Sequence, residues 1–460
     1  MGSGKIYGGN VAEKIKKVEE PQLTLSYPTP EKRMRPSSKP SSNELNVLSL
    51  FSGCGGMDIG FEGGFTTFAS SVNETLHPRH INKRLASNLV LLSKNRFKTV
   101  FANDILDAAR LGWTHYFTKK DLTSVDKFFS ESIVDLVKLH RVGINKFPHH
   151  VDVVTGGFPC QDFSVAGKRN GFDSHKNHKG ELITHEIATE ETRGKLYMWM
   201  KEVIEITSPN IFIAENVKGL VNLANVKEII QNDFSGANGN GYIVLEPQVL
   251  HAADYGVPQS RERVIFIGIK KAALNSAALA ALSQKDIPPQ YNPYPAPTHA
   301  YTKTDKSLKT PVALSDILGH LPEPEHSDDL SHKFYSKAKF MGKHCQGQTE
   351  VNINSISPTI RAEHHGNIEF RRLAPNNGGK YVADFESGKQ ERRLTPRECA
   401  LIQTFPPDYE FVIQNTTGNK KNYLISPSQA YKIIGNAVPP MLAYNIAKRI
   451  EYVWDLYFKQ

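Results

Sequence analysis

Two stretches of the chain carry most of the residues that could do chemistry. The run GGFPCQDFSVAG, from Gly156 to Gly167, sets Cys160 behind a proline in a glycine-flanked loop, directly after the apolar run VDVVT. A thiolate is a strong nucleophile. A lone cysteine is most often a small core residue, but this one stands in a loop after a strand, where a ligand can reach it. Downstream, NIFIAENV carries Glu215 near a strand end, where stability does not call for a carboxylate. There it could donate a proton opposite Cys160; the plain alternative is a surface glutamate. QSRERV then sets Arg261 and Arg263 on one side of an extended segment. Two guanidiniums there could hold a carbonyl or phosphates, or orient Glu215; the plain alternative is a salt-bridge ladder. A zinc deaminase also uses a Pro-Cys pair, but it needs PCxxC and HxE. This chain reads PCQDF and has no HxE.

These residues need a scaffold. NVLSLF, FTTFASSVNE, TVFANDI, VDVVTGGF, NIFIAENV and VIFIGI are strand-length, rich in β-branched residues, and followed by loops. Helix-like stretches separate them. GKLYMWMKEVIEI puts Leu196, Met200, Val203 and Ile204 on one face. The alternation predicts an α/β fold: a mostly parallel sheet with helices on both faces, and ligands beyond the carboxyl ends of the strands. From residue 271 to 391 the rhythm breaks into Pro-, His-, Asn- and Gly-rich sequence, which predicts a smaller irregular domain. Residues 392–460 return to the first domain, and the last helix is expected from the Pro439-Pro440 pair. Residues 1–44 read as a flexible basic tail and 45–270 as the main domain.

Bulk composition narrows the class. The chain has 460 residues, a net charge of +9 and 39% hydrophobic residues. That permits a sizeable core and leans towards a polyanionic partner. The four cysteines are scattered without a CxxC pair, so neither a disulfide framework nor a structural zinc site is expected. No metal is expected. No apolar run is long enough to span a bilayer.

The loop LFSGCGGMDIGF is a strand, a glycine turn and a helix start. Gly53, Gly55 and Gly56 let a ligand approach the backbone. The sixth position of a dinucleotide fingerprint falls on Asp58 instead of glycine, so the loop does not fit NAD. An acid after strand two, Glu74, suits a ribose diol, and an acid after strand three, Asp104, can accept from an adenine amino group. Together they suggest an adenosine ligand without a pyrophosphate, S-adenosylmethionine.

In this order, FSGCGGMDIGF, GGFPCQDFS, ENVKGL, DYGVPQSRERVIFIG, RRLTPRECALIQTFPPDY and IGNAVPP resemble the DNA cytosine-5 methyltransferases of bacterial restriction-modification type over nearly all of residues 46–458. The resemblance implies a Rossmann-like S-adenosylmethionine-dependent fold with a target recognition domain. It implies that Cys160 attacks C6 of a flipped-out cytosine. Glu215 would act at N3, Arg263 at O2, and Arg261 would support the loop and its proton transfers. Phe51, Gly53, Gly55, Gly56, Glu74, Asp104, Ile105, Leu196, Asn436, Ala437 and Val438 would hold the cofactor. Gln161, Ser164, Lys168, Arg169 and Thr359 would contact double-stranded DNA. The resemblance further implies a monomer in the bacterial cytoplasm, at the nucleoid, with any cognate restriction endonuclease acting as a separate protein. An insertion at 173–192 departs from the family pattern. Two other readings are an RNA (tRNA) cytosine-5 methyltransferase and a non-catalytic DNA-binding homologue.

Overall fold

The computed structural model describes residues 43–159, 196–222, 225–362, 368–415 and 422–458. The tail at 1–42, the loop with Cys160, Gln161, Ser164, Lys168 and Arg169, and the 173–192 insertion lie outside the described residues.

Strand β1 (Leu45–Leu50) is the hub. Its side chains alternate between two cores, Val47 facing one and Leu48 the other, as a strand buried on both faces requires. After it the chain forms a three-stranded unit, β2 (Thr66–Phe68), β3 (Ile81–Arg84) and β4 (Leu89–Leu92), then β5 (Phe97–Asn103), β6 (Phe128–Phe129) and β7 (Val153–Gly157). The chain continues through β8 (Ile211–Val217), β9 (Tyr242–Val244), β10 (Gln248–His251) and β11 (Glu262–Lys270). The central sheet runs β10-β11-β8-β7-β1-β5-β6, with β9 also paired to β11. The pairs β7–β8, β1–β7, β1–β5 and β5–β6 are parallel, whereas β11 is antiparallel to β8 and β10 to β11.

Helices cover both faces. On one side lie α1 (Gly56–Glu62), α2 (Asp107–Thr118) and a long C-terminal helix; on the other lie α3 (Ile133–Arg141), α4 (Leu196–Thr207) and α5 (Val226–Ser235). In α4, Leu196, Met200, Val203 and Ile204 are all buried, as their spacing predicts. Three helices close the chain. The first two, α6 (Pro396–Ile402) and α7 (Pro427–Asn436), each open with proline in the first turn and a capping box, Thr395 with Glu398 and Ser426 with Gln429. The last, α8 (Pro440–Phe458), starts where the paired prolines predict.

One expected strand is displaced. FTTFASSVNE does not extend the central sheet: only Thr66–Phe68 is extended, in the separate antiparallel unit β2-β4-β3. The strands beside β1 are β7 and β5, and β5 ends at Asn103. Residues 43–460 group as one compact unit.

Candidate active site

The turn after β1 is shaped for close approach. Phe51, Gly53 and Gly55 have φ of +52°, +54° and +82°, and a Cβ on Gly55 would strike the Trp113 ring at 2.8 Å. The Ser52 amide donates to the Asn103 carbonyl at 2.8 Å, and the Asn103 amide donates to Ser52 Oγ at 3.0 Å. This ties the glycine turn to the end of β5. There Asp104 accepts from the Gly53 amide at 3.0 Å and the Leu106 amide at 2.9 Å. Burial pushes the Asp104 carboxyl up, and these amide hydrogen bonds oppose the shift. The next residue, Ile105, leaves 45% of its surface exposed. A Cβ at Gly53 would meet nothing within 4 Å, so the turn borders open space. An open cradle, a carboxyl group tied to it and an apolar side chain beside it fit an adenosine ligand.

One further wall comes from a distant part of the chain. A Cβ on Gly56 would lie 2.2 Å from the Val438 carbonyl and 3.3 Å from the Ala437 Cβ, so the segment after α7 rests directly on the first turn of α1. Asn436, just before it, is exposed. Leu196 is buried at the start of α4.

At the C-terminal edge of β8, Glu215 sits opposite Gly157 of β7 and Ile265 of β11. Its Oε2 would lie 2.7 Å from a Cβ on Gly157. Only hydrogen fits there without displacing the carboxylate. Arg263 Nε donates to Glu215 Oε1 at 2.7 Å, and the two side chains are 12% and 10% exposed. Burial raises the Glu215 pKa; the charges of Arg263 and Arg261 and the Arg263 hydrogen bond pull it back. A buried carboxyl balanced in this way can hold or release a proton at a ligand. Cys160 lies outside the described residues, two residues beyond Phe158 in sequence. Thr359 Oγ1 donates to the Ser260 carbonyl, which sets the 357–360 segment against the stretch that leads into β11.

The C-5 cytosine-specific DNA methylase model matches residues 89–452. The chain belongs to that family. It is a DNA cytosine-5 methyltransferase similar to the restriction-modification enzymes. It is 31% identical to the type II methyltransferase M.BsuRI of Bacillus subtilis, over 89% of this chain and 80% of that one. It is 32% identical to M.BspRI of Lysinibacillus sphaericus, over 89% and 82%. M.NgoFVII of Neisseria gonorrhoeae is 27% identical, over 89% and 87%.

Two residue expectations for the methylase change with its structure. Glu74 does not follow the strand beside β1. It is exposed and ion-paired to Arg84 in the β2-β4-β3 unit. The acid that follows the end of β5, next to β1, is Asp104, where an α/β fold can present a carboxylate to a ligand. Arg261 does not share the surface of Arg263. It is 1% exposed, and its guanidinium donates to the carbonyls of Ile360 at 3.1 Å, Gly435 at 2.9 Å and Ala437 at 2.8 Å. It is therefore a positioning residue that joins the start of β11 to the 357–360 segment and to the segment resting on Gly56.

The structure also gives roles to two residues for which motif spacing offered none. Asn216, 1% exposed, donates to the Phe158 carbonyl at 3.2 Å and so fixes the path into the cysteine loop. Asp58 is fully buried and accepts from Ser49 Oγ and Trp113 Nε1, each at 2.6 Å. Ser49 is hydrogen-bonded in turn to Ser52, at 2.9 Å. Asp58 thus braces the glycine turn from beneath. The motif that contains each residue was the available signal, ENV for Asn216 and GGMD for Asp58.

No helix among the described residues is long and apolar enough to cross a membrane.

Proposed function

We propose that this methylase modifies C5 of a cytosine flipped out of a specific short sequence in duplex DNA, through a covalent adduct between Cys160 and C6. The observation that carries this reading is the Glu215–Arg263 pair. It is buried at the carboxyl edge of the sheet and faces Gly157, which stands three residues ahead of Cys160.

Phe51, Gly53, Gly55, Gly56, Asp104, Ile105, Leu196 and Asn436–Val438 would hold S-adenosylmethionine. Asp104 would accept from the ribose hydroxyls. When bound, this cofactor supplies an electrophilic methyl group on a sulfonium. Cys160 as thiolate forms the bond to C6, and electron density moves to C5 and towards N3. Glu215 supplies the proton or hydrogen bond at N3, and Arg263 donates to O2. Once C5 carries the methyl group, loss of the C5 proton lets the C6–S bond break and restores the ring. C6 is hidden within a stacked pair, so flipping precedes attack. Residues 271–391 would read the target sequence, with Thr359 supporting the backbone at the flipped base. The protein would act as a monomer in the cytoplasm, apart from any cognate endonuclease.

The test is bisulfite sequencing of plasmid DNA from a host without cytosine methylation that expresses the chain. Protection of cytosines in one short recurring sequence is expected, and it should vanish with Cys160→Ala. Protection retained by that variant would overturn the covalent route.

A further inference from the structure

The β2-β4-β3 unit is docked on the segment that follows β11, and the seam between them is basic. Lys309 Nζ donates to the Ala69 and Val72 carbonyls at 2.8 and 3.1 Å. Asn73 Nδ2 donates to the Thr298 and Ser307 carbonyls at 2.9 and 3.0 Å. A cleft of about 580 Å³ opens along this seam, bordered by Glu74, Arg84, Asn88, Lys306 and Lys309. Residues 63–95 carry Arg79, Lys83, Arg84 and Lys94 against the single acid Glu74. Residues 298–310 carry Lys303, Lys306 and Lys309 against Asp305 alone. Both acids are engaged, Glu74 by Arg84 and Asp305 by the amide and hydroxyl of Ser307. Lys83, Arg84, Lys303 and Lys306 are exposed.

The seam lies at the catalytic end of the sheet. His251, the last residue of β10, pairs with Glu262, the neighbour of Arg263. Its ring stacks on Tyr301 with centroids 4.5 Å apart. Asp254, just beyond, accepts from the Tyr301 and Thr302 amides at 3.1 and 2.8 Å. The 301–309 loop is therefore anchored beside the strand end that presents Arg263. A cationic, polar, solvent-open cleft in that position suits the phosphodiester backbone of a long polyanion.

We propose that the β2-β4-β3 unit and residues 298–310 form a second anchor for duplex DNA, which grips backbone phosphates outside the target site and contributes affinity without sequence readout. The proposal rests on duplex DNA being the substrate.

The test uses the full chain with Arg84→Gln, Lys303→Gln and Lys306→Gln combined. The control combines Lys98→Gln, Lys146→Gln and Lys271→Gln. These exposed lysines stand at the start of β5, ahead of β7 and just after β11, at the opposite end of the sheet. Both triple variants remove the same formal charge. Binding to 12- and 40-base-pair duplexes, lengths of roughly one and four helical turns, is titrated from low to moderate salt. The seam variant should bind the long duplex about tenfold more weakly, with a salt slope shallower by about two. Its affinity for the short duplex should stay within about twofold, as should kcat for methyl transfer at saturating plasmid. Equal affinities and slopes for parent and seam variant on the long duplex would overturn the proposal. So would an equal loss in the control, which would mark a net-charge effect. Absence of methyl transfer to plasmid by the parent chain itself would instead count against the DNA-methylation reading, so the two failures are separable.

Discussion

Arg263 Nε meets Glu215 Oε1 at 2.7 Å across adjacent antiparallel strands, and water has little access to either group. Burial favours the neutral carboxyl, and the guanidinium favours the carboxylate. The pKa is raised on balance, so the proton stays on Glu215 to higher pH than on an exposed glutamate. If N3 needs that proton, kcat should fall as pH rises through the raised value. Removing the Arg263 charge removes the opposing influence and lifts the pKa further. Arg263→Ala should therefore move the descending limb to higher pH while lowering kcat at every pH. Glu215→Gln should lower kcat about a hundredfold or more and abolish that limb. A pH–rate series on plasmid DNA reads all three profiles, and an unmoved limb in Arg263→Ala would refute the coupling.

Arg261 and Arg263 should fail in different assays. Arg261 satisfies buried carbonyls of Ile360, Gly435 and Ala437, and orphaning such groups costs about 1–3 kcal/mol each. Arg261→Ala should depress the melting temperature strongly and weaken cofactor binding, because Ala437 belongs to the segment on Gly56. Arg261→Lys should rescue little, since one ammonium cannot reproduce a planar fork. Arg263→Ala leaves the buried Glu215 without its partner and should lower the melting temperature less than Arg261→Ala does, while turnover is lost and cofactor binding is kept. Calorimetry beside single-turnover kinetics separates the two.

Asp104 and Glu74 offer a direct choice between two acids. Asp104 is tied to the Gly53 amide beside open space, whereas Glu74 faces Arg84 on another sheet. Asp104→Asn should weaken S-adenosylmethionine binding about tenfold or more, the loss expected when a charge-assisted hydrogen bond is removed. Glu74→Gln should leave that affinity within about twofold. Isothermal titration of both variants decides it, and the reverse order would restore Glu74 to the ribose.

Asp58 predicts a stability difference with a defined direction in pH. Burial pushes its carboxyl from 3.8 up to about 7, against the pull of the Ser49 and Trp113 hydrogen bonds. Between those values the folded state holds a proton that the unfolded chain has lost, so the contribution of Asp58 to stability declines as pH rises from about 4 to about 7. Asp58→Asn cannot titrate. It should be destabilising most at the acid end of that window and progressively less so towards neutrality. Urea unfolding of both proteins at several pH values measures the trend.

The loops that carry chemistry were legible because glycine turns, a proline-cysteine step and strand-end acids are local signals. β1, β5, β7, β8 and β11, α4 and the start of α8 followed from periodicity and proline placement. Partner choice was not legible. FTTFASSV and KTVFAND have the same β-branched character, and nothing within either run tells which one hydrogen-bonds to β1. Glu74 and Asp104 were therefore given the wrong order of strands. The direction of β11 was hidden for the same reason, since a buried apolar run reads alike in parallel and antiparallel sheets. Spacing put Arg261 and Arg263 on one side, but Arg261 precedes β11 and meets carbonyls from residues 99 to 176 positions away. Such a contact is a property of the tertiary fold alone.

The contact between Gly56 and Val438 spans almost the whole polypeptide. A ribosome making this protein finishes the glycine turn early and the wall that rests on it nearly four hundred residues later. During that interval the first helix has no cover from the last one, and loop closure over such a separation is slow. A nascent chain thus lacks this cover on its glycine turn until translation passes Pro440. A message broken anywhere upstream yields a fragment that lacks this wall. The glycine turn and the segment that covers it are thus completed at opposite ends of synthesis, and the cradle gains this side only when the two meet.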